Sequence, residues 1–181
     1  MSVSKVFSFV ALAFFFLIIS TAVPVGTAAD TAESHDDKPF LQQAANRVSW
    51  MIILGELAQK QAARSDIGKY GVQMADDYRK HLDALNLLAR QKGLSLAPED
   101  NVTRRNTTQS FSKKFGAEFD RDYISLMEDE NNFLVIRYRQ EAQKGLDAEI
   151  RAFASEKIKI LEGYVAWAHK ILLDLPKPVL K

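Results

Sequence analysis

Apolar residues recur at intervals of three and four through four long stretches of this 181-residue chain, the spacing of an α-helix that buries one face. In the first stretch Leu41, Ala44, Val48, Ile52, Gly55, Ala58 and Ala62 share a stripe. Asp37 is placed to cap this helix, with Pro39 in its first turn, and the helix is expected to run to about Ala63. Ser65 is the expected cap of a second helix, in which Ile67, Gly71, Met74, Tyr78, Leu82, Leu85 and Leu88 lead to Gly93. So short a break makes the two helices antiparallel neighbours. A third helix should begin near Ala117, with Glu118 and Asp120 favouring its dipole, and end at Lys144 before Gly145. Asp147 caps a fourth, which carries Ile150, Phe153, Ala154, Ile158, Leu161, Tyr164, Ala168 and Ile171 and stops ahead of Pro176. Between Gly93 and Gly116 lies a long connection containing Pro98 and an expected short helix around Gln109 to Phe115. It is long enough to carry the chain back to the starting end, making helices two and three parallel. The expected fold is therefore all-α, a ferritin-like four-helix bundle over residues 39–175 with a long connection between helices two and three.

Ahead of the bundle, Lys5 precedes an apolar run from Val6 to Ile19 and then small, turn-forming residues from Ser20 to Ala29. That order is that of a secretory signal peptide. A run of about 14 residues makes roughly 21 Å of helix, short of the ~30 Å hydrocarbon core. Thr27 and Ala29 supply small residues three and one positions before a cut, so residues 1–29 are expected to be removed, with Ser20 and Ala22 as an earlier alternative site and a retained anchor as the competing reading. No stable membrane span is then expected. Residues 30–38 are polar and aperiodic, a flexible tether, and 176–181 a short tail. Removal of the leader leaves about 150 residues, enough for one domain with a substantial core. The chain's formal charge is +1, and the single base in the leader is Lys5, so the mature chain is neutral. Neutrality argues against nucleic acid as a partner. The absence of cysteine removes disulfides and thiolate chemistry together. Export to the periplasm or beyond is the expected destination.

Counted from the helix starts, Ile52, Tyr78, Asn131 and Tyr164 fall near mid-height on inward-facing stripes, with Glu130 beside them. A carboxylate-bridged two-metal centre needs Glu-x-x-His on two helices of such a bundle, and the sequence has none. Tyr78, Asn131 and Tyr164 can instead satisfy one another as a hydrogen-bonded core layer, or line a small ligand pocket. Glu130 should pair with a base at the core margin, because an isolated buried charge is costly. Asp77 and His81, four apart on helix two, are the weak candidates for a cation site, against a plain boundary pair. No cofactor is expected. Phosphate-loop, nucleophile-elbow and zinc-protease motifs are all missing, which makes catalysis the weaker expectation. Asn101-Val-Thr and Asn106-Thr-Thr are glycosylation sequons that mark an exposed loop if nothing else.

Trp50 to Leu54 reads Trp-Met-Ile-Ile-Leu, apolar right round the helix. Trp50, Ile53, Leu54 and Leu57 form a second face that a single buried stripe does not absorb, and Trp167 can widen it. Either the long connection covers this face, or it is a surface for self-association or a protein partner.

Several short patterns in order, Gly55-Glu56-Leu57-Ala58, Met74-Ala75-Asp76-Asp77-Tyr78, Phe119-Asp120 with Tyr123, and Phe153-Ala154 with Leu161, resemble a family of exported bacterial proteins of unknown function with a ferritin-like four-helix bundle. The resemblance covers Phe40 to Leu172. Members carry histidines where this chain has Tyr78, Asn131 and Tyr164, and a proline where it has Lys159. The resemblance implies a periplasmic setting and an ancestral ligand layer that has lost its imidazoles here. The leading functional expectation is a non-catalytic exported protein that binds another macromolecule or itself in the cell envelope, with stress or host-associated life as its context. A metal-handling or oxidoreductase relative of ferritin comes second and a small-molecule carrier third.

Overall fold

In the computed structural model residues 37–176 are described. The expected signal peptide, the tether up to residue 36 and the tail beyond 176 lie outside them. Among the described residues there are five helices and no strand: α1 (Asp37–Gln61), α2 (Ser65–Gln91), α3 (Val102–Phe111), α4 (Gly116–Lys144) and α5 (Ala148–Asp174). The four long periodic stretches are α1, α2, α4 and α5. The short helix in the connection starts well before Gln109, because the Asn101 side chain caps it by accepting the Arg104 N–H at 3.0 Å.

Two antiparallel hairpins, α1–α2 and α4–α5, pack through their apolar stripes, so that Leu41, Val48, Met51, Ile67, Met74, Leu85, Ile124, Met127 and Leu161 are fully buried. Burial of each such side chain is worth about 1.5 to 3 kcal/mol. The register between hairpins follows from named pairs. Phe40 meets Tyr138, Arg47 meets Glu130 and Arg64 meets Asp120, so α1 and α4 run antiparallel. Tyr70 meets Tyr123, Tyr78 meets Asn131 and His81 meets Tyr138, so α2 and α4 run parallel. The long connection does return the chain to its starting end.

Two expected caps act differently. Ser65 is the first residue of α2 and makes no capping bond; the preceding residue, Arg64, is extended. Asp37 lies inside α1 rather than before it. In each case a carboxylate from the other hairpin has taken over a turn. Asp120 accepts the N–H groups of Ala63 and Arg64, both at 3.0 Å. Asp37 accepts those of Leu146 and Asp147 at 2.8 and 2.6 Å. Each carboxylate offers a separate charged oxygen to each of two adjacent donors, where a serine hydroxyl has one neutral oxygen. Asp147 caps α5 as its position suggests, accepting from Glu149 and Ile150. No described helix is long and apolar enough to cross a membrane.

Candidate functional site

The mid-height layer is larger than the sequence suggests and is divided in two. The Tyr78 hydroxyl donates to Asn131 Oδ1. Asn131 Nδ2 donates to the Met127 carbonyl at 2.7 Å and to the Tyr70 hydroxyl at 3.3 Å, and Tyr70 reaches the Tyr164 carbonyl at 3.4 Å. Tyr164 does not join this network through its hydroxyl, which turns outward and donates to Asp77 Oδ2 at 2.6 Å. Burial pushes the Asp77 carboxyl upward, but hydrogen bonds from Tyr164, Gln73 and Lys80 outweigh it and hold the group below its ordinary value. Higher on α2, His81 Nε2 lies 2.7 Å from the Tyr138 hydroxyl, while Nδ1 has no protein partner. Burial, with Lys157 nearby, lowers the His81 pKa to about 4, so the ring is neutral.

Asp77 and His81 line one small cleft with Glu156 and Lys157, but their hydrogen bonds go to different partners. One addresses Tyr164 at the boundary and the other Tyr138 in the core. Among the described residues no group of three or more histidine, aspartate or glutamate side chains is arranged to hold a metal ion. The layer's groups, the Tyr70 and Tyr78 phenols bonded to the Asn131 amide and the Tyr164 phenol bonded to Asp77, do not fit a carboxylate-bridged two-metal centre. Glu130 pairs with Arg47 at the core margin, where the guanidinium also covers the Phe133 ring at 3.8 Å. Sequence reasoning missed Tyr70 and Tyr138. Tyr70 lies on the row of α2 that continues through Met74 and Tyr78, one residue from the stripe position assigned to Gly71.

The apolar excess of α1 is mostly covered. Trp50 is 9% exposed and Leu54 is wholly buried, so neither is a surface residue. The cover is α3: the Trp50 indole N–H donates to Thr108 Oγ1 at 2.9 Å, and the Arg104 guanidinium lies 5.7 Å from the indole centre. Leu57 packs against the core at partial exposure, and Trp167 is engaged with Tyr70 at 5.0 Å rather than extending a patch on α1. Only Ile53, at 48% exposure, remains open.

Ile53 opens onto a cavity of about 770 Å³ between α1, α2 and the connection. Ala45, Trp50, Ile53, Leu82 and Leu96 supply an apolar floor, and Ser49, Asn86, Asn106 and Gln109 a neutral polar rim. The charged residues at its edge are matched, Arg105 by Asp100 and Arg104 by Glu99 at 3.8 Å. Beside it, α1 grips the chain's own connection. Gln42 donates to the Ala97 carbonyl at 2.6 Å and accepts the Ala97 N–H at 3.1 Å. One turn on, Asn46 accepts the Glu99 N–H at 3.2 Å. Two side-chain amides spaced i, i+4 thus hold alternate residues of a non-helical segment, much as one strand pairs with its neighbour.

A family model described as "Domain of unknown function (DUF4142)" matches residues 22–171. No curated protein matches the chain. Among solved structures, it is similar to a DUF305 protein from Streptomyces coelicolor, described as secreted, at 9% identity and a TM-score of 0.66. The likeness covers 76% of this chain and 91% of that one, and at such identity it speaks for the helical fold alone.

Proposed function

The chain belongs to the DUF4142 family, a domain of unknown function, and on that footing we propose an exported ferritin-like helical protein that binds an extended, uncharged stretch of partner polypeptide in the cavity between α1, α2 and α3. Export rests on the signal-peptide pattern of residues 1–29, and the periplasm is the compartment we favour. Support for the ferritin-like reading comes from the parallel pairing of α2 with α4. The observation that carries the binding reading is the amide clamp of Gln42 and Asn46 on residues 97 and 99. The surface that already holds one non-helical backbone segment continues into a cavity with the same chemistry, amides around an apolar floor. The matched charges at the edge favour an uncharged ligand.

Panning the mature protein against displayed random peptides tests this. Enriched sequences should be rich in apolar residues and should lose binding at least tenfold to Ile53→Asp, which puts an unpaired charge on the floor at a cost of about 1.4 kcal/mol or more. Peptides that bind Ile53→Asp as well as the parent, or no enrichment at all, would remove the proposal. Light scattering and elemental analysis of the same preparation separate self-association and metal handling from it.

A further inference from the structure

All five tyrosines of the chain, on three different helices, belong to one continuous file of rings. From Phe119 the file passes to Tyr123 at 5.3 Å, to Tyr70 at 6.3 Å, to Tyr164 at 5.6 Å, to Tyr78 at 5.5 Å, to His81 at 6.0 Å and to Tyr138 at 5.4 Å. Trp167 branches from it, 5.0 Å from Tyr70 and stacked on Tyr164 at 6.2 Å. Four of the phenols, Tyr70, Tyr78, Tyr123 and Tyr138, are completely buried, whereas Trp167 is partly exposed and lines a surface cleft beside the α1–α2 turn. Packing alone would be served as well by phenylalanine, without the cost of burying hydroxyls. Phenol and indole are the side-chain rings that give up one electron most readily, and a phenol does so more easily when a base takes its proton in the same event. Tyr164 has such a base: its hydroxyl donates to the Asp77 carboxylate at 2.6 Å. Asp77 is ionised at neutral pH, since the hydrogen bonds it accepts hold its carboxyl below the ordinary value in spite of burial.

We propose that this file of rings is a conduit for single oxidising equivalents, entering at Trp167 from a diffusible one-electron oxidant and coming to rest as a neutral radical on Tyr164, whose phenolic proton passes to Asp77. The balance closes within these groups. The oxidant gains one electron from Trp167, Tyr164 returns one electron to the indole radical cation, and the O–H proton moves along the existing hydrogen bond to Asp77 Oδ2. A one-electron donor and the same proton restore the phenol.

The test is one-electron oxidation of the intact protein by photogenerated ruthenium(III) tris-bipyridine, with freeze-trapping and electron paramagnetic resonance. The expected spectrum is that of a neutral tyrosyl radical, whose formation slows in D2O. Trp167→Phe should abolish most of the yield. Tyr164→Phe and Asp77→Asn should replace the tyrosyl signal with a short-lived tryptophan radical, and the circular dichroism of each variant shows whether it has folded. If Tyr164→Phe proves unfolded, the D2O effect and Asp77→Asn still decide. A wild-type spectrum of tryptophan radical alone, or a tyrosyl signal that survives Trp167→Phe or Asp77→Asn undiminished, overturns the proposal. Neither result bears on peptide binding in the α1–α3 cavity.

Discussion

His81 is the residue whose burial has the clearest solution consequence. It is 4% exposed, its ring is packed among Tyr78, Tyr138 and Phe153, and Lys157 and Glu156 of α5 are the charged groups that act on it. Its pKa falls from the ordinary 6.5 to about 4 in the folded protein. Between those values the unfolded chain binds a proton that the folded one refuses. The stability contributed by the neutral ring is therefore complete above about pH 6.5 and is lost as pH falls toward 4, by about 3 kcal/mol in all. Urea unfolding at pH 7 and pH 4.5 should show the wild type losing roughly 2 to 3 kcal/mol more than His81→Gln, a variant that keeps a polar group near Tyr138 but cannot titrate. The carboxylates held below their ordinary range, Asp66, Asp77, Asp147 and Glu156, give up their stabilisation at lower pH and, apart from a minor contribution of His81 to Glu156, do so in both proteins. Equal losses in the two proteins would mean that His81 is not buried neutral.

At the scale of elements, α1 and α2 touch backbone to backbone. A Cβ on Gly71 would lie 2.6 Å from the Ala58 Cβ and 2.9 Å from the Gly55 carbonyl oxygen, and one on Gly55 would lie 2.5 Å from the Gly71 carbonyl oxygen. Three residues earlier on the same helix, a Cβ on Gly68 would find its nearest neighbour 3.9 Å away. Alanine is the better helix former by about 1 kcal/mol, so Gly68→Ala should stabilise by a few tenths to about 1 kcal/mol. Gly71→Ala should destabilise by about 1 to 3 kcal/mol, because neither backbone can retreat without opening the seam. Thermal unfolding of the two variants checks the opposite signs. This seam shows how far periodicity reads. The repeat of apolar positions assigns Gly55 and Gly71 to buried stripes, and burial is all that an inward position requires. That the two glycines meet is a fact about the offset between helices, which no spacing within one helix encodes. The same limit explains why Tyr78 and Asn131 were legible as core polar residues while the turn of Tyr164 toward Asp77, and the cover of Trp50 by α3, were not. Each depends on a partner distant in the chain, Asp77 lying 87 residues from Tyr164 and Thr108 lying 58 from Trp50.

Over the whole molecule the two hairpins hold each other by exchange. Asp37, on the first hairpin, closes the turn of the second, and Asp120, on the second, closes the turn of the first. The N–H groups of two tight turns, part-buried in the docked molecule, thus find their carboxylate acceptors only when the hairpins come together, which couples docking to turn formation. The clasps lie near opposite ends of α1, roughly 36 Å apart for its 25 residues, and share no partner. Each carboxylate is 8% exposed or less, and hydrogen bonds to a charged group contribute about 1.5 to 3 kcal/mol. Asp37→Ala and Asp120→Ala should each cost about 2 to 4 kcal/mol, since two turn donors are stranded in either case. At that separation the costs should add to within about 0.5 kcal/mol, and the double variant should still unfold in a single transition with an unchanged dependence on urea. A double variant in which one hairpin melts before the other, seen as non-coincident circular dichroism and tryptophan fluorescence transitions, would mean that the core alone does not couple the hairpins and that the exchanged carboxylates do. Coincident transitions, the expected outcome, would mean that the shared apolar core ties the hairpins into one cooperative unit, to which the clasps add stability without setting its cooperativity.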